Sequence, residues 1–148
     1  MDVEIKKLSP LDVGQFIELI LVFEDVFEMK DLSIPDKDHL RRVLETENFL
    51  AFVAISDGKV LGGLTAHVLQ QYYSSVPQIY IYDLGVKTGF QRKGIGKSLI
   101  SAVNSHGKLI GAEEAFVQAE LEDEDAIAFY RSTRPADEER ALHFSYIL

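Results

Sequence analysis

Residues 79–99 read IYIYDLGVKTGFQRKGIGKSL. Residues 79–82 alternate isoleucine and tyrosine, and Leu84 and Val86 continue the apolar pattern of a strand. A loop holding Gly89, Gly94 and Gly96 follows, and Ser98 and Leu99 begin an apolar helical pattern. The stretch therefore predicts strand, glycine loop, helix. A helix N-terminus presents free N–H groups and partial positive charge, and glycine lets a ligand approach the backbone closely. Arg92, Lys93 and Lys97 add full charges, in a chain whose net charge is -9. These features describe a small anion site in an acidic protein, and phosphate is the anion they suit.

The common phosphate loops do not fit. Gly96-Lys97-Ser98 imitates the tail of a P-loop, but the glycine required five positions earlier is Gln91. A dinucleotide fingerprint would need glycine at Leu99. Neither a nucleotide triphosphatase nor a Rossmann dehydrogenase is supported. A lone Gly-x-Gly also suits a surface turn with solvated lysines.

The rest of the chain frames the stretch. Its 148 residues suit a single domain, 1–148, with one core. Cysteine is absent, which excludes disulfides, thiolate metal sites and a cysteine nucleophile. No apolar run is long enough for a bilayer and no secretory h-region is present, so no membrane partner is expected and a cytoplasmic location is. The acid excess argues against nucleic acid and suits a cationic partner, although it also serves solubility. No histidine has a second ligand at metal spacing, so no metal is expected.

Val3–Lys7 reads as a short strand. Ser9 then caps a helix with Pro10 in its first turn, running to about Glu28 through Phe16, Ile17, Ile20, Phe23 and Phe27. A second helix is capped by Asp36. Asp57-Gly58 joins two apolar runs as a hairpin. After the glycine loop come a helix ending near Gly111, a strand in EEAFVQAE, a helix in DEDAIAFYRS and a last strand in ERALHFSYIL. This order, β-α-α-β-β-β-α-β-α-β, predicts an α/β (α+β) mixed sheet with helices on both faces.

Gln91-x-x-Gly94-x-Gly96, placed between a strand and a helix, resembles the acetyl-CoA motif of GNAT-superfamily N-acetyltransferases, whose element order is also the one above. The resemblance implies a sheet splayed at the cofactor strand. It assigns Leu84, Gly85 and Val86 to the pantetheine arm of coenzyme A. It assigns Gln91, Arg92, Lys93, Gly94, Ile95, Gly96 and Lys97 to the pyrophosphate. More narrowly, IYIYDL-V, VQAE and LHF resemble the gentamicin-type aminoglycoside 3-N-acetyltransferases. That implies a polycationic amine substrate, an antibiotic-resistance activity and a dimer.

Direct acetyl transfer needs a neutral amine, a donor for the carbonyl oxygen and a proton for the leaving thiolate. Asp83 lies one residue before the pantetheine stretch and matches the acid of the family's YDL segment. It is the candidate base, directly or through a water, or a holder of the substrate ammonium; the alternative is an aspartate satisfying backbone N–H groups at a bulge. Tyr130 matches a tyrosine that the family carries near the sulfur and is the candidate acid, although a core aromatic also suits its position. The oxyanion donor is expected to be a backbone N–H near Leu84 or Val86.

Glu120, Glu122, Asp123, Glu124 and Asp125 are five acids within six residues. They suit substrate ammonium groups, with Glu120 matching the acid of the family's VQA segment. They equally suit a helix first turn, with Asp123 as its cap. Tyr72, Tyr73, Tyr80 and Tyr82 suit either an acceptor cleft or ordinary strand faces. His143, within LHF, is expected to be structural. Where the family usually has a glycine turn, this chain has Arg134-Pro135. Two other functions compete with aminoglycoside acetylation: a GNAT enzyme for another amine (a polyamine, a metabolite or a peptide N-terminus), and a non-enzymatic sensor of coenzyme A.

Overall fold

The computed structural model describes residues 1–148. The chain forms two compact units, residues 1–118 and 119–148.

The first unit is built on a five-stranded sheet in the order β1-β2-β3-β4-β5. β1 (Glu4–Lys7), β2 (Phe49–Ser56), β3 (Lys59–Leu69) and β4 (Gln78–Val86) form an antiparallel meander, and β5 (Glu114–Val117) joins β4 in parallel. The parallel pair requires a crossover, which α3 (Ile95–Leu109) supplies. Asp57 and Gly58 both take positive φ, 50° and 74°, so the β2–β3 hairpin turns as its sequence predicts.

One face of the sheet is covered by α1 (Val13–Val26) and α2 (Lys37–Glu45). Leu19, Phe16, Phe23, Leu40 and Leu44 pack there against Ala51, Val53 and Val60. The other face packs Leu64, Ala66, Ile79 and Ile81 against Leu99 and Val103 of α3. Leu19, Leu64 and Leu99 are fully buried. Truncating such a leucine to alanine costs about 2–5 kcal/mol. The first predicted helix is divided. Pro10–Asp12 forms a 3-10 turn closed by a reciprocal Ser9–Asp12 capping box, and the α-helix begins only at Val13. No helix is long and apolar enough to cross a membrane.

The second unit contains α4 (Glu124–Ser132). The Asp123 carboxylate accepts from the Ala126 N–H at 3.0 Å, as the capping reading requires. The strand predicted over 139–148 does not form. Those residues form no regular secondary structure and are exposed. Between α4 and this segment, Arg134 takes φ 60°, Pro135 cannot continue the helix, and Arg131 forks onto Glu138 through two 2.8 Å hydrogen bonds. His143 lies exposed in this segment.

Candidate active site

The site begins with a break in the sheet. β4 pairs with β5 only from Gln78 to Ile81. From there to Val86 it stays paired with β3 alone. One backbone edge of residues 82–86 is therefore open, which is the splay expected at the cofactor strand. An open strand edge offers N–H and C=O groups to an extended ligand.

A bulge sits at the start of the open edge. Ala66 pairs with Ile81, but the next residue along β3, Thr65, pairs with Asp83. Tyr82 is the extra residue. The inserted residue shifts the alternation by one. Ile79 and Ile81 point to the α3 side before the bulge, and Leu84 and Val86 take up that side after it. Tyr80 and Asp83 thus share the opposite side. There the rings of Phe49, His67, Tyr82 and Tyr80 meet edge-on in succession, and Tyr80 stacks on Phe116, so that the row crosses four strands with successive centroids 4.8–5.8 Å apart. Tyr80 also donates its hydroxyl to Gln118 Oε1 at 2.9 Å. Tyr82 is 59% exposed, whereas Tyr72 and Tyr73 belong to the exposed β3–β4 connection and meet edge-on.

Asp83 is half-buried, and burial raises its carboxyl above the ordinary 3.8. Desolvation disfavours the anion and makes it a stronger base once ionised. Gly85, next but one, is small for a packing reason. A Cβ there would stand 2.9 Å from Val26 and 3.1 Å from Phe23. The close approach lets α1 cover the end of β4.

The loop after β4 is shaped by two left-handed residues, Arg92 at φ 60° and Gly94 at φ 82°. Gly94 caps α3, and its carbonyl accepts from the Ser98 N–H at 3.0 Å. The amides of Ile95, Gly96 and Lys97 precede the first intrahelical bond and are left for a ligand. Arg92, Lys93 and Lys97 are exposed beside them, with the Lys93 ammonium 5.7 Å from the Phe90 ring centroid. Two expected pyrophosphate residues are refined by this geometry. The Ile95 side chain is buried in the core beneath α3, so only its backbone can face a ligand. The Gln91 side-chain amide donates to the Val86 carbonyl at 3.0 Å and ties the loop back to the strand. Orphan amides, exposed cations and an open strand edge in sequence fit a long diphosphate-bearing cofactor such as coenzyme A.

In the second unit, Tyr130 is partly buried and packs edge-on against Phe129, with centroids 5.1 Å apart. Glu120, Glu122, Asp123, Glu124 and Asp125 are all exposed. Asp123 is committed to its cap, and Glu124 and Asp125 occupy the first turn of α4, where the helix dipole favours them. Glu120 accepts the Asp123 N–H through its backbone, which leaves its carboxylate outside the capping network. The residues that sequence reasoning missed are Thr65 and the bulge itself. Register depends on the partner strand, and β4 alone carries no signal for it.

Comparison with known proteins agrees with this architecture. The acetyltransferase (GNAT) family model matches residues 17–133. An aminoglycoside acetyltransferase from an uncultured soil metagenomic sample, crystallised with sisomicin, is 51% identical. That alignment covers 99% of this chain and 96% of the other, with a TM-score of 0.97. A second soil metagenomic aminoglycoside acetyltransferase is 35% identical over 100% of this chain and 99% of its own, at a TM-score of 0.93. Among curated proteins, the aminoglycoside N(6')-acetyltransferase type 1 of Salmonella typhimurium is 29% identical over 86 residues, 54% of this chain. The match spans 59% of the length of that relative. The chain belongs to the GNAT acetyltransferase family, whose members use acetyl-CoA, and it has the GNAT fold.

Proposed function

We propose that this protein transfers the acetyl group of acetyl-CoA to a primary amine of an aminoglycoside, by direct attack with both substrates bound. The observation that carries the reading is the half-buried Asp83 at the mouth of the open β4 edge, followed in sequence by the cationic loop. A coenzyme A sensor would need the loop and the edge but has no use for a desolvated carboxylate beside them. The sisomicin complex of the 51% identical relative supports an aminoglycoside over a polyamine or a peptide N-terminus.

Acetyl-CoA supplies the activated acyl group as a thioester. The α3 amides from Ile95 to Lys97 and the side chains of Arg92, Lys93 and Lys97 hold its diphosphate. The open backbone of Leu84, Gly85 and Val86 pairs with the pantetheine arm, and an N–H at Leu84 or Val86 serves the carbonyl oxygen. Asp83 accepts the proton of the incoming ammonium, directly or through one water, so that the amine attacks neutral. Tyr130 protonates the leaving thiolate, and Glu120 with its acidic neighbours holds the remaining ammonium groups. These last two roles rest on the family resemblance.

The position acetylated has two readings. The resemblance of the YDL, VQA-acid and LHF segments points to the 3-amino group. The curated relatives carry the 6'-amino group in their names. The test is thiol release from acetyl-CoA with sisomicin as acceptor, followed by NMR of the product. An acetamide at the 3-nitrogen supports the first position and one at the 6'-nitrogen the second. No thiol release across an aminoglycoside panel would overturn the activity.

A further inference from the structure

β4 carries one large side chain that the fold leaves mostly in solvent. Tyr82 is 59% exposed, while Ile79 and Ile81 on the same strand are buried. Tyr80 is partly buried, stacks on Phe116 and gives its hydroxyl to Gln118. Tyr82 is nevertheless held in place. Its ring meets His67 and Tyr80 edge-on, each with centroids 5.8 Å away. Phe49 braces His67 from behind, at 5.6 Å. The bulge decides what this ring stands beside. Consecutive strand residues ordinarily point to opposite faces of a sheet. Tyr82 lies on the side of Tyr80 and His67 by its ring contacts, and the extra residue brings Asp83 to that side as well. An exposed aromatic ring and a half-buried carboxylate are thus neighbours on one face. α1 closes over that face farther along, at Gly85, where Phe23 and Val26 approach the strand.

We infer that Tyr82 is a platform for the acceptor: its ring takes the apolar C–H face of the aminated saturated ring whose amine meets Asp83. The inference rests on the aminoglycoside reading and names the side chain that recognises the shape of that substrate. An amino sugar or aminocyclitol carries its polar groups around the rim and C–H groups on its faces. Next to ammonium groups those C–H bonds are polarised positive, and the face of an aromatic ring is negative. The ammonium groups are drawn to the same surface. Covering the C–H face also removes apolar area from water. Exposed carboxylates attract any polycation; a flat aromatic surface adds a preference for a ring. A linear polyamine has no such face to offer, and an extended peptide is recognised chiefly through its backbone. Stacking also limits how the acceptor can turn, so that one amine at a time stands at Asp83. The neighbouring rings serve the platform by keeping Tyr82 from collapsing onto the sheet.

The test is proton NMR of sisomicin on the full chain with coenzyme A present, which cannot donate an acetyl group, together with steady-state kinetics. With the wild type, C–H protons of bound sisomicin should shift upfield, as protons over an aromatic face do. In Tyr82→Leu that shift should be lost and the sisomicin KM should rise roughly tenfold, while the acetyl-CoA KM and the melting temperature hold. Tyr82→Phe restores the ring and should recover most of the loss. An unchanged sisomicin KM in Tyr82→Leu, with a wild type that acetylates sisomicin, overturns the platform and leaves the aminoglycoside reading standing. So does a KM in Tyr82→Phe as high as that in Tyr82→Leu, which would give the role to the hydroxyl. A wild type that releases no thiol with any aminoglycoside overturns both. Should Tyr82→Leu fail to fold, the wild-type spectrum decides: sisomicin bound without an upfield shift overturns the platform.

Discussion

Asp83 lies opposite Thr65 in the β3–β4 ladder, one pair beyond the bulge that makes Tyr82 the extra residue. Thr65 is buried and Asp83 half-buried, so the carboxylate stands where the sheet stops being flanked by β5. Without the extra residue, the alternation of β4 would turn Asp83 toward α3 and Leu84 away from it. The bulge therefore sets which side of the sheet the base serves.

Asp83→Asn keeps the side-chain shape and removes the charge. If Asp83 is the general base, kcat should fall by roughly a hundredfold or more. If it only holds the ammonium, KM should rise while kcat holds. The wild-type rate should climb with pH through a carboxyl pKa above the ordinary 3.8 and then level. Stability should move the other way. The folded state binds the Asp83 proton more tightly than the unfolded state does, so ionisation costs stability as pH rises through the window above 3.8. Asp83→Asn should thus melt higher than wild type at neutral pH, and the gap should close below the unfolded pKa. Unchanged kcat, KM and melting would leave Asp83 without a role in catalysis.

Gly96→Val tests the loop. Valine is no worse than glycine inside a helix, so folding should persist. The branched side chain would crowd the first-turn amides of α3. Calorimetry should show acetyl-CoA affinity reduced at least about tenfold, or about 1.4 kcal/mol. Normal affinity in a folded variant would remove the diphosphate from this loop.

Glu120→Gln tests the acidic cluster. The carboxylate is exposed and outside the capping network of α4, so the fold has no need of its charge. The acceptor KM should rise and the acetyl-CoA KM should stay. For the wild type, the acceptor KM should rise with salt, since exposed pairs are screened over about 8–10 Å. An unaffected variant with a salt-independent KM would return the cluster to helix capping alone.

Gly63→Ala tests the packing that supports the site. The new Cβ would stand 2.6 Å from Leu19 Cδ1 and press on the Phe52 carbonyl oxygen, which belongs to the backbone and cannot give way. The cost should be about 1–3 kcal/mol. For a chain of this size that lowers Tm by roughly 2 to 12 °C. Gly63 pairs with Gly85. A shift of α1 should therefore also weaken cofactor binding, which calorimetry on the same variant would read.

Local chemistry made most of the architecture legible. Ser9, Asp36 and Asp57-Gly58 marked two helix starts and a hairpin, because capping and positive φ are properties of a few adjacent residues. The glycine loop announced an anion site for the same reason: free amides, glycine and basic side chains lie within seven residues of sequence, 91–97. The sequence by itself thus determined the order of elements, the place of the cofactor loop and the acid preceding it. Tertiary structure decided what depends on partners distant in sequence. The bulge that turns Asp83 away from α3 exists only in register with Thr65 and Ala66 of β3. Ile95 and Gln91 surrendered their side chains to the core and to Val86 once α3 had docked. ERALHFSYIL has every local mark of a strand, yet it forms none, because a strand also needs an edge to pair with and no local pattern supplies one.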